Sequence, residues 1–303
     1  MHEPGFKLLV SADLHHDVPR SATPAEAFAE QFNDSGADGL LLIGDSATSD
    51  GRHLEDALGL FRNDRIRLFV PGNHELWRRT DGLSASELLG QNLPNRVTAA
   101  GWHWLPGNPW RRGDVAVVGS LGWYDHSLAA KRLGLPGRFY EAGLSPAAAK
   151  RLERDDLAPF DIGPDFFARW NDKRYIHALG RDADFLDSQL DQLRSDLDSV
   201  AGVKHVIAAV HCCPCEAMLP QVPDVPIPES KLRYAFARAF LGSAKIAPLV
   251  GMFDNVRLGF CGHSHVARPP IVCDGVTWQN IGSDYEVKRS AVVQFGELDT
   301  LFA

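Results

Sequence analysis

Residues 6–16 read FKLLVSADLHH, an apolar run (FKLLV, 6–10) that breaks into Asp13 and His15. A short unbroken apolar run bounded by turn signals reads as a buried strand. Residues at i and i+2 of an extended chain point the same way, so Asp13 and His15 can reach one metal ion. The plain alternative is that polar residues simply make the turn where a strand ends. The other strand ends decide between the two.

Five more apolar runs read as buried strands: GLLLI (39–43), IRLFV (66–70), VAVVG (115–119), VKHVIAAV (203–210) and VRLGF (256–260). Helical patterns lie between the early ones. TPAEAFAEQFNDSG (23–36) opens on a capping Thr23 with Pro24 at the first helical position. RHLEDALGLFRN (52–63) is similar. In RDADFLDSQLDQLRSDLDSV (181–200), Leu186, Leu190, Leu193, Leu197 and Val200 form one apolar stripe, expected to face the core. Strands alternating with helices imply an α/β fold with parallel pairs. VTWQNI (276–281) and SAVVQF (290–295) have no clear helix between them and are expected to pair antiparallel with each other. The segment from about 123 to 181 shows no strong strand and breaks continually at Gly and Pro. It reads as a lid-like insertion in a single domain spanning 1–303.

The 303 residues suffice for a sizeable core, and 45% hydrophobic with 23% charged residues is ordinary for a soluble globular protein. Lys and Arg number 31 against 39 Asp and Glu, a formal charge of −8. That disfavours a broad nucleic-acid surface or a binder of anionic membranes. No apolar run approaches membrane-spanning length, and the first residues lack the pattern of a signal peptide. A cytoplasmic protein is expected. The five cysteines, with Cys212 and Cys213 adjacent, argue against a disulfide framework.

The strand ends share one chemistry. FKLLV leads to Asp13 and His15, GLLLI to Asp45, IRLFV to Asn73 and His74, VKHVIAAV to His211, and VRLGF to His263 and His265. In open α/β sheets, ligands bind outside the carboxyl ends of strands. One polar strand end means little, but five carrying Asp, Asn or His are hard to attribute to turns. Imidazole with carboxylate suits Mn, Fe or Zn. Asp45 has two oxygens and could bridge two ions. Glycines at 44, 72 and 262 would let the backbone approach them closely.

The ordered set DLH (13–15), GD (44–45), GNHE (72–75), His211 and GHSH (262–265) spans nearly the whole chain and resembles the calcineurin-like metallophosphoesterase superfamily. The resemblance implies a four-layer αββα sandwich of two mixed sheets and a binuclear centre. Asp13, His15, Asp45 and His265 would hold one ion; Asp45, Asn73, His211 and His263 would hold the other. His74 would stay unligated, face the substrate and serve as the catalytic residue, protonating the leaving oxygen. The NIGS turn (280–283) matches the family's closing strand and reads as architectural. Two divalent ions are expected, Mn²⁺ first, with Fe or Zn also fitting. The implied reaction is hydrolysis of a small phosphate ester, a nucleotide or phosphodiester, by direct attack of metal-activated hydroxide. The partner would be that small molecule, with no membrane; oligomeric state has no signature in the sequence. The competing readings are a nuclease of the same superfamily, which needs a basic groove, and a non-catalytic scaffold, which would have lost ligands.

One departure matters. Family phosphoprotein phosphatases carry a second aspartate three residues after the GD aspartate; here that position is Thr48. That argues against a protein Ser/Thr phosphatase and leaves the partner of His74 open. Asp50 is expected to be a solvated turn residue. His16 and His126 read as structural or packing residues, and Cys212, Cys213 and Cys215 as small fillers beside the ions. Trp77, Trp102, Trp104 and Trp110 suit either stacking on a base or packing. Arg78, Arg79, Arg111 and Arg112 suit extra phosphates or, more commonly, a solvated face.

Overall fold

The computed structural model describes residues 5–79, 82–222 and 227–298. Its strands are β1 (Lys7–Ala12), β2 (Gly39–Ile43), β3 (Ile66–Val70), β4 (His103–Trp104), β5 (Trp110–Arg112), β6 (Val115–Ser120), β7 (His205–Val210), β8 (Val256–Cys261), β9 (Arg268–Cys273), β10 (Val276–Asn280) and β11 (Ser290–Gln294). They form two mixed sheets, ordered β11-β1-β2-β3-β4 and β5-β6-β7-β8-β10-β9. In the first sheet β1 to β4 are parallel and β11 runs against β1. In the second, β6, β7, β8 and β10 are parallel, with β5 and β9 antiparallel at the edges.

The layers follow from the period of the strands. Every residue of β2 is buried, as a parallel strand covered on both faces requires. Leu41 and Ile43 point into a core between the sheets, shared with Val10, Val70, Val117, Ile207 and Phe260. Leu40 and Leu42 point the other way, into a cluster with Phe28 and Phe32 of α1 (Pro19–Asp34) and Leu54 and Leu58 of α2 (His53–Leu58). On the second sheet, Val206, Ala208 and Val210 face out, in the same cluster as Leu186, Leu193 and Leu197 of α3 (Asp182–Ser199). Two sheets face to face with helices outside give the four-layer αββα sandwich.

Three sequence expectations need correction. Residues 276–281 and 290–295 do not pair with each other. β10 joins the second sheet beside β8, and β11 joins the first beside β1. The hairpin partner of β10 is β9, whose two prolines hid it as a strand; as an edge strand it tolerates them. Helix α1 begins at Pro19, so Pro24 falls inside it. Its buried face starts with Ser21, whose hydroxyl donates to the Leu14 carbonyl at 2.7 Å. Helix α2 stops at Leu58, with Gly59 at its end, rather than at residue 63.

Residues 123–181 form short helical turns and loops. Trp123, Tyr124, Leu133, Tyr140 and Phe166 pack into the outer cluster, while Phe139, Leu144, Ala148, Ala149 and Leu157 make a small cluster of their own.

Leu41 sits fully buried between the sheets, four residues before Asp45. Leu41→Ala is expected to cost about 2–5 kcal/mol through lost transfer energy and a residual cavity. A urea unfolding midpoint lowered by less than about 1 kcal/mol equivalent would contradict the inter-sheet placement.

Candidate metal centre

Parallel strands bring their carboxyl ends to one edge, and the loops continue the ladders there. Asp13 donates its N–H to the Gly44 carbonyl at 3.1 Å, and His15 to the Asp45 carbonyl at 2.8 Å. Gly44 donates to Val70 at 2.8 Å, and Gly262 to His211 at 3.1 Å. The residues after β1, β2, β3, β7 and β8 therefore meet. The meeting is tight at the glycines. A Cβ on Gly44, whose φ is +71°, would fall 2.2 Å from His211 Nδ1, and one on Gly72 would fall 2.2 Å from Asp45 Oδ1.

Asp13, His15, Asp45, His263 and His265 have φ of 58°, 45°, 51°, 66° and 55°. Side-chain-bearing residues rarely adopt this left-handed region, at a cost of roughly 1–3 kcal/mol where the surroundings impose it. The strain falls on the residues that would hold the ions.

Glu75 organises the two central loops. Its buried carboxylate accepts the backbone N–H groups of Gly72 (2.6 Å), Asp45 (2.9 Å), Ser46 (2.7 Å) and Ala47 (3.3 Å). Burial and the neighbouring Asp45 push its carboxyl up to about 7, against the pull of these N–H bonds.

The donor atoms fall into two sets. Atoms of Asp13, His15, Asp45 and His265 lie within 4.8 Å of one another, as do those of Asp45, His211 and His263. Asn73 Oδ1 joins the second set, 3.2 Å from His211 Nε2. Asp45 belongs to both. Its Oδ1 lies 3.3 Å from His211 Nε2 and its Oδ2 lies 3.7 Å from His15 Nε2.

Backbone carbonyls fix the tautomers. His211 Nδ1 donates to the Ile43 carbonyl and His263 Nε2 to the Phe240 carbonyl, each at 3.0 Å. The opposite nitrogens, His211 Nε2 and His263 Nδ1, are left as acceptors facing each other at 3.2 Å, with Asn73 Oδ1 beside them. Converging lone pairs in a buried site require a proton or a metal ion between them. His15 Nε2 and His265 Nε2 likewise meet at 3.0 Å.

The protonation pattern agrees. Burial, aided by a neighbouring histidine, holds His15 well below its ordinary value and His263 down to about 3. Burial opposes charge on His211 as well, yet the carboxylates of Asp45 and Asp13 carry it up to about 10. Burial pushes Asp13 up to about 8; His211 opposes this and Asp45 adds to it. Ions bound among these carboxylates would supply the positive charge that their field otherwise favours on His211. The donor set thus fits two divalent ions bridged by Asp45.

His74 lies between the centre and solvent. Its ring stacks on Trp77 at 3.7 Å between centroids, and its Nε2 is 3.9 Å from Asp45 Oδ2. It lines a cavity of about 320 Å³ whose floor includes Asp45, Asn73, His263 and His265. Trp77, Trp170, Tyr234 and Tyr285 form the walls, and Arg169 stands exposed at the rim.

Other singled-out residues lie elsewhere. His16 faces Glu26 at 3.5 Å and His126 faces Asp182 at 3.3 Å. Trp102 and Trp104 are core residues, and Trp110 packs on Phe6 and Phe295. Arg111 bonds the Ser199 carbonyl, and Arg112 lies over Phe6. Asp50 is not solvated, correcting its expected role. It is buried, accepts the Arg79 N–H at 3.1 Å and pairs with Arg78 at 3.7 Å. Cys212 and Cys213 are buried fillers, but Cys215 is half-buried with its sulfur 2.7 Å from that of Cys273. Asn280 ties the GHSH loop, donating to the Gly262 carbonyl and the Ser264 hydroxyl.

The sequence reading gave no role to Glu75, Trp170, Asp172, Tyr234 or Tyr285. Glu75 carried a signal, being the acid that closes GNHE. Trp170, Asp172 and Tyr285 lie on short turns and loops with no periodicity to aim them, and Tyr234 lies on the helix Glu229–Ala237, to which the sequence reading gave no part in the site.

No family model matches the chain, and no curated protein matches it in sequence. Solved structures do match in fold. The phosphopantetheinyl hydrolase of Mycobacterium tuberculosis superposes with a TM-score of 0.64 at 20% identity, over 96% of this chain and 97% of its own. A dimetal phosphatase from Danio rerio gives 0.48 at 14% identity, over 96% and 93%. A calcineurin-like phosphoesterase from Bacillus subtilis gives 0.40 at 8% identity, over 96% and 91%. The first of these shows the fold; the other two are too distant to add to it.

Glu75→Gln keeps the shape but turns an amide NH₂ toward backbone donors. It is expected to lower stability by about 1–3 kcal/mol, read as a reduced urea midpoint at unchanged slope. An unchanged midpoint would remove Glu75 from the role of organising the two loops.

Proposed function

We propose that this chain, by fold and ordered ligand set a member of the calcineurin-like metallophosphoesterase superfamily, is a binuclear-metal-dependent hydrolase of a small phosphate ester. The observation that carries the reading is Asp45, whose two oxygens face two donor sets at the floor of an aromatic-walled cavity. The bound ions, Mn²⁺ in our reading and with Fe and Zn suiting the same donors, would supply Lewis-acid stabilisation and an activated water for in-line displacement.

The chain's own residues do the rest. His74, held by its stack on Trp77, presents its ring to the cavity and protonates the leaving oxygen. Trp170, Tyr234 and Tyr285 shield the reacting centre and offer apolar faces to the leaving group. Arg169 is placed to meet a further anionic group of the substrate. A cavity of about 320 Å³ suits a small molecule better than a nucleic-acid strand. The net charge of −8 points the same way; of the four arginines singled out, Arg78 pairs with Asp50, Arg111 bonds the Ser199 carbonyl, and Arg79 and Arg112 lie over the rings of Tyr175 and Phe6. No helix among the described residues is long and apolar enough to cross a membrane. A cytoplasmic location, the expectation from the sequence, is part of the proposal.

The test is kcat/KM on bis(p-nitrophenyl) phosphate against p-nitrophenyl phosphate with Mn²⁺-loaded protein. A diester preference would bring phosphodiesters forward, and a phosphopantetheinyl ester belongs in that panel because the Mycobacterium tuberculosis neighbour bears that name. Absence of turnover on both, and on a panel of natural esters, with two ions bound, would overturn the assignment. His74→Asn is expected to lower kcat about 10²- to 10⁴-fold while both ions stay bound. Loss of an ion from that variant would make His74 a ligand instead.

A further inference from the structure

Asp172 lies in the segment expected as an insertion, far in sequence from every ligand motif, yet its carboxylate is buried against the metal centre. Its Oδ1 accepts Asn73 Nδ2 at 2.9 Å and Trp77 Nε1 at 2.7 Å. Its Oδ2 accepts Trp170 Nε1 at 2.7 Å and the Tyr124 hydroxyl at 3.2 Å. All four donors are neutral. A fully buried carboxylate held by neutral donors is costly to maintain, so its placement calls for a reason.

The four donors supply one. Asn73 can act as an ion ligand only through Oδ1. An amide has two ends of nearly equal shape, and the chain must choose between them. Asp172 accepts from Nδ2 and so turns Oδ1 toward His211 Nε2, the nitrogen that also faces His263 Nδ1. The bond to Trp77 fixes the indole on which His74 stacks. The bond to Trp170 fixes a cavity wall, which packs edge-on to His263 at 6.2 Å between centroids.

We propose that Asp172 is a positioning residue for the metal centre: it sets the ligating end of Asn73 and the indole behind His74, linking residues 123–181 to the ion held by Asn73, His211 and His263. This rests on the reading of the site as a binuclear centre. Carboxylates that orient metal ligands from outside typically change affinity 10- to 100-fold.

The test is Mn²⁺ binding, by calorimetry and by metal content after gel filtration, on wild type, Asp172→Asn and Asp172→Ala. Asp172→Asn keeps the volume but loses the charge and one of two acceptor oxygens; Asp172→Ala removes both. The expected result is two ions in wild type. In the variants one site should weaken about 10- to 100-fold, and the site of Asp13, His15 and His265 should change far less. Wild-type affinities at both sites in the variants would overturn the proposal and leave the binuclear reading standing. Equal weakening of both sites, or failure of both variants to fold, would make Asp172 a core residue and also overturn it. Fewer than two ions in wild type would overturn the binuclear reading and this proposal together.

Discussion

The carboxylate of Glu75 holds the middle of this protein together. It gathers N–H groups from the loop after β2 and the loop after β3. Neither loop has a neighbouring strand to satisfy those groups once the ladders end. A buried N–H without a partner costs about 1–3 kcal/mol, so a single acceptor that takes four of them fixes both loops at once. Asp45 and Asn73 inherit their positions from that arrangement. The glycines at 44 and 72 then bring Asp45 and His211 closer than any side chain would allow.

What the loops build is poorly satisfied by the protein alone. Two buried carboxyl groups stand among imidazoles whose outer nitrogens are committed to carbonyls and whose inner nitrogens face each other. Five of the residues involved sit in left-handed backbone. Strain and converging acceptors concentrated in one place are what a site looks like when binding, rather than folding, settles its geometry. The two sheets supply the rigidity. Val70 and Ile207, like the other residues between the sheets, hold the strand ends in register so that the strain cannot relax.

Much of this was legible in the sequence because the runs that build the sheets also end in the ligands. Asp13, Asp45, Asn73, His211 and His263 each lie within three residues of a strand's end, so reading the strands places the donors. What escaped depended on contacts between distant segments. The partner of β10 was hidden by Pro269 and Pro270, which an edge strand accepts. The burial of Asp50 depends on Arg78 and Arg79, nearly thirty residues on. Asp172 and Trp170 lie where neither a period of two nor of 3.6 aims a side chain. Thr48 left the partner of His74 open in the sequence, and the structure stacks that ring on the indole of Trp77.

The proposed centre requires Asp45 to bridge two ions. Electron paramagnetic resonance of the chain loaded with two equivalents of Mn²⁺ tests this most directly. A shared carboxylate would hold the ions close enough to couple, and the expected spectrum shows the closely spaced hyperfine lines of an exchange-coupled pair, lost in Asp45→Asn. A spectrum of isolated ions at two equivalents would contradict it.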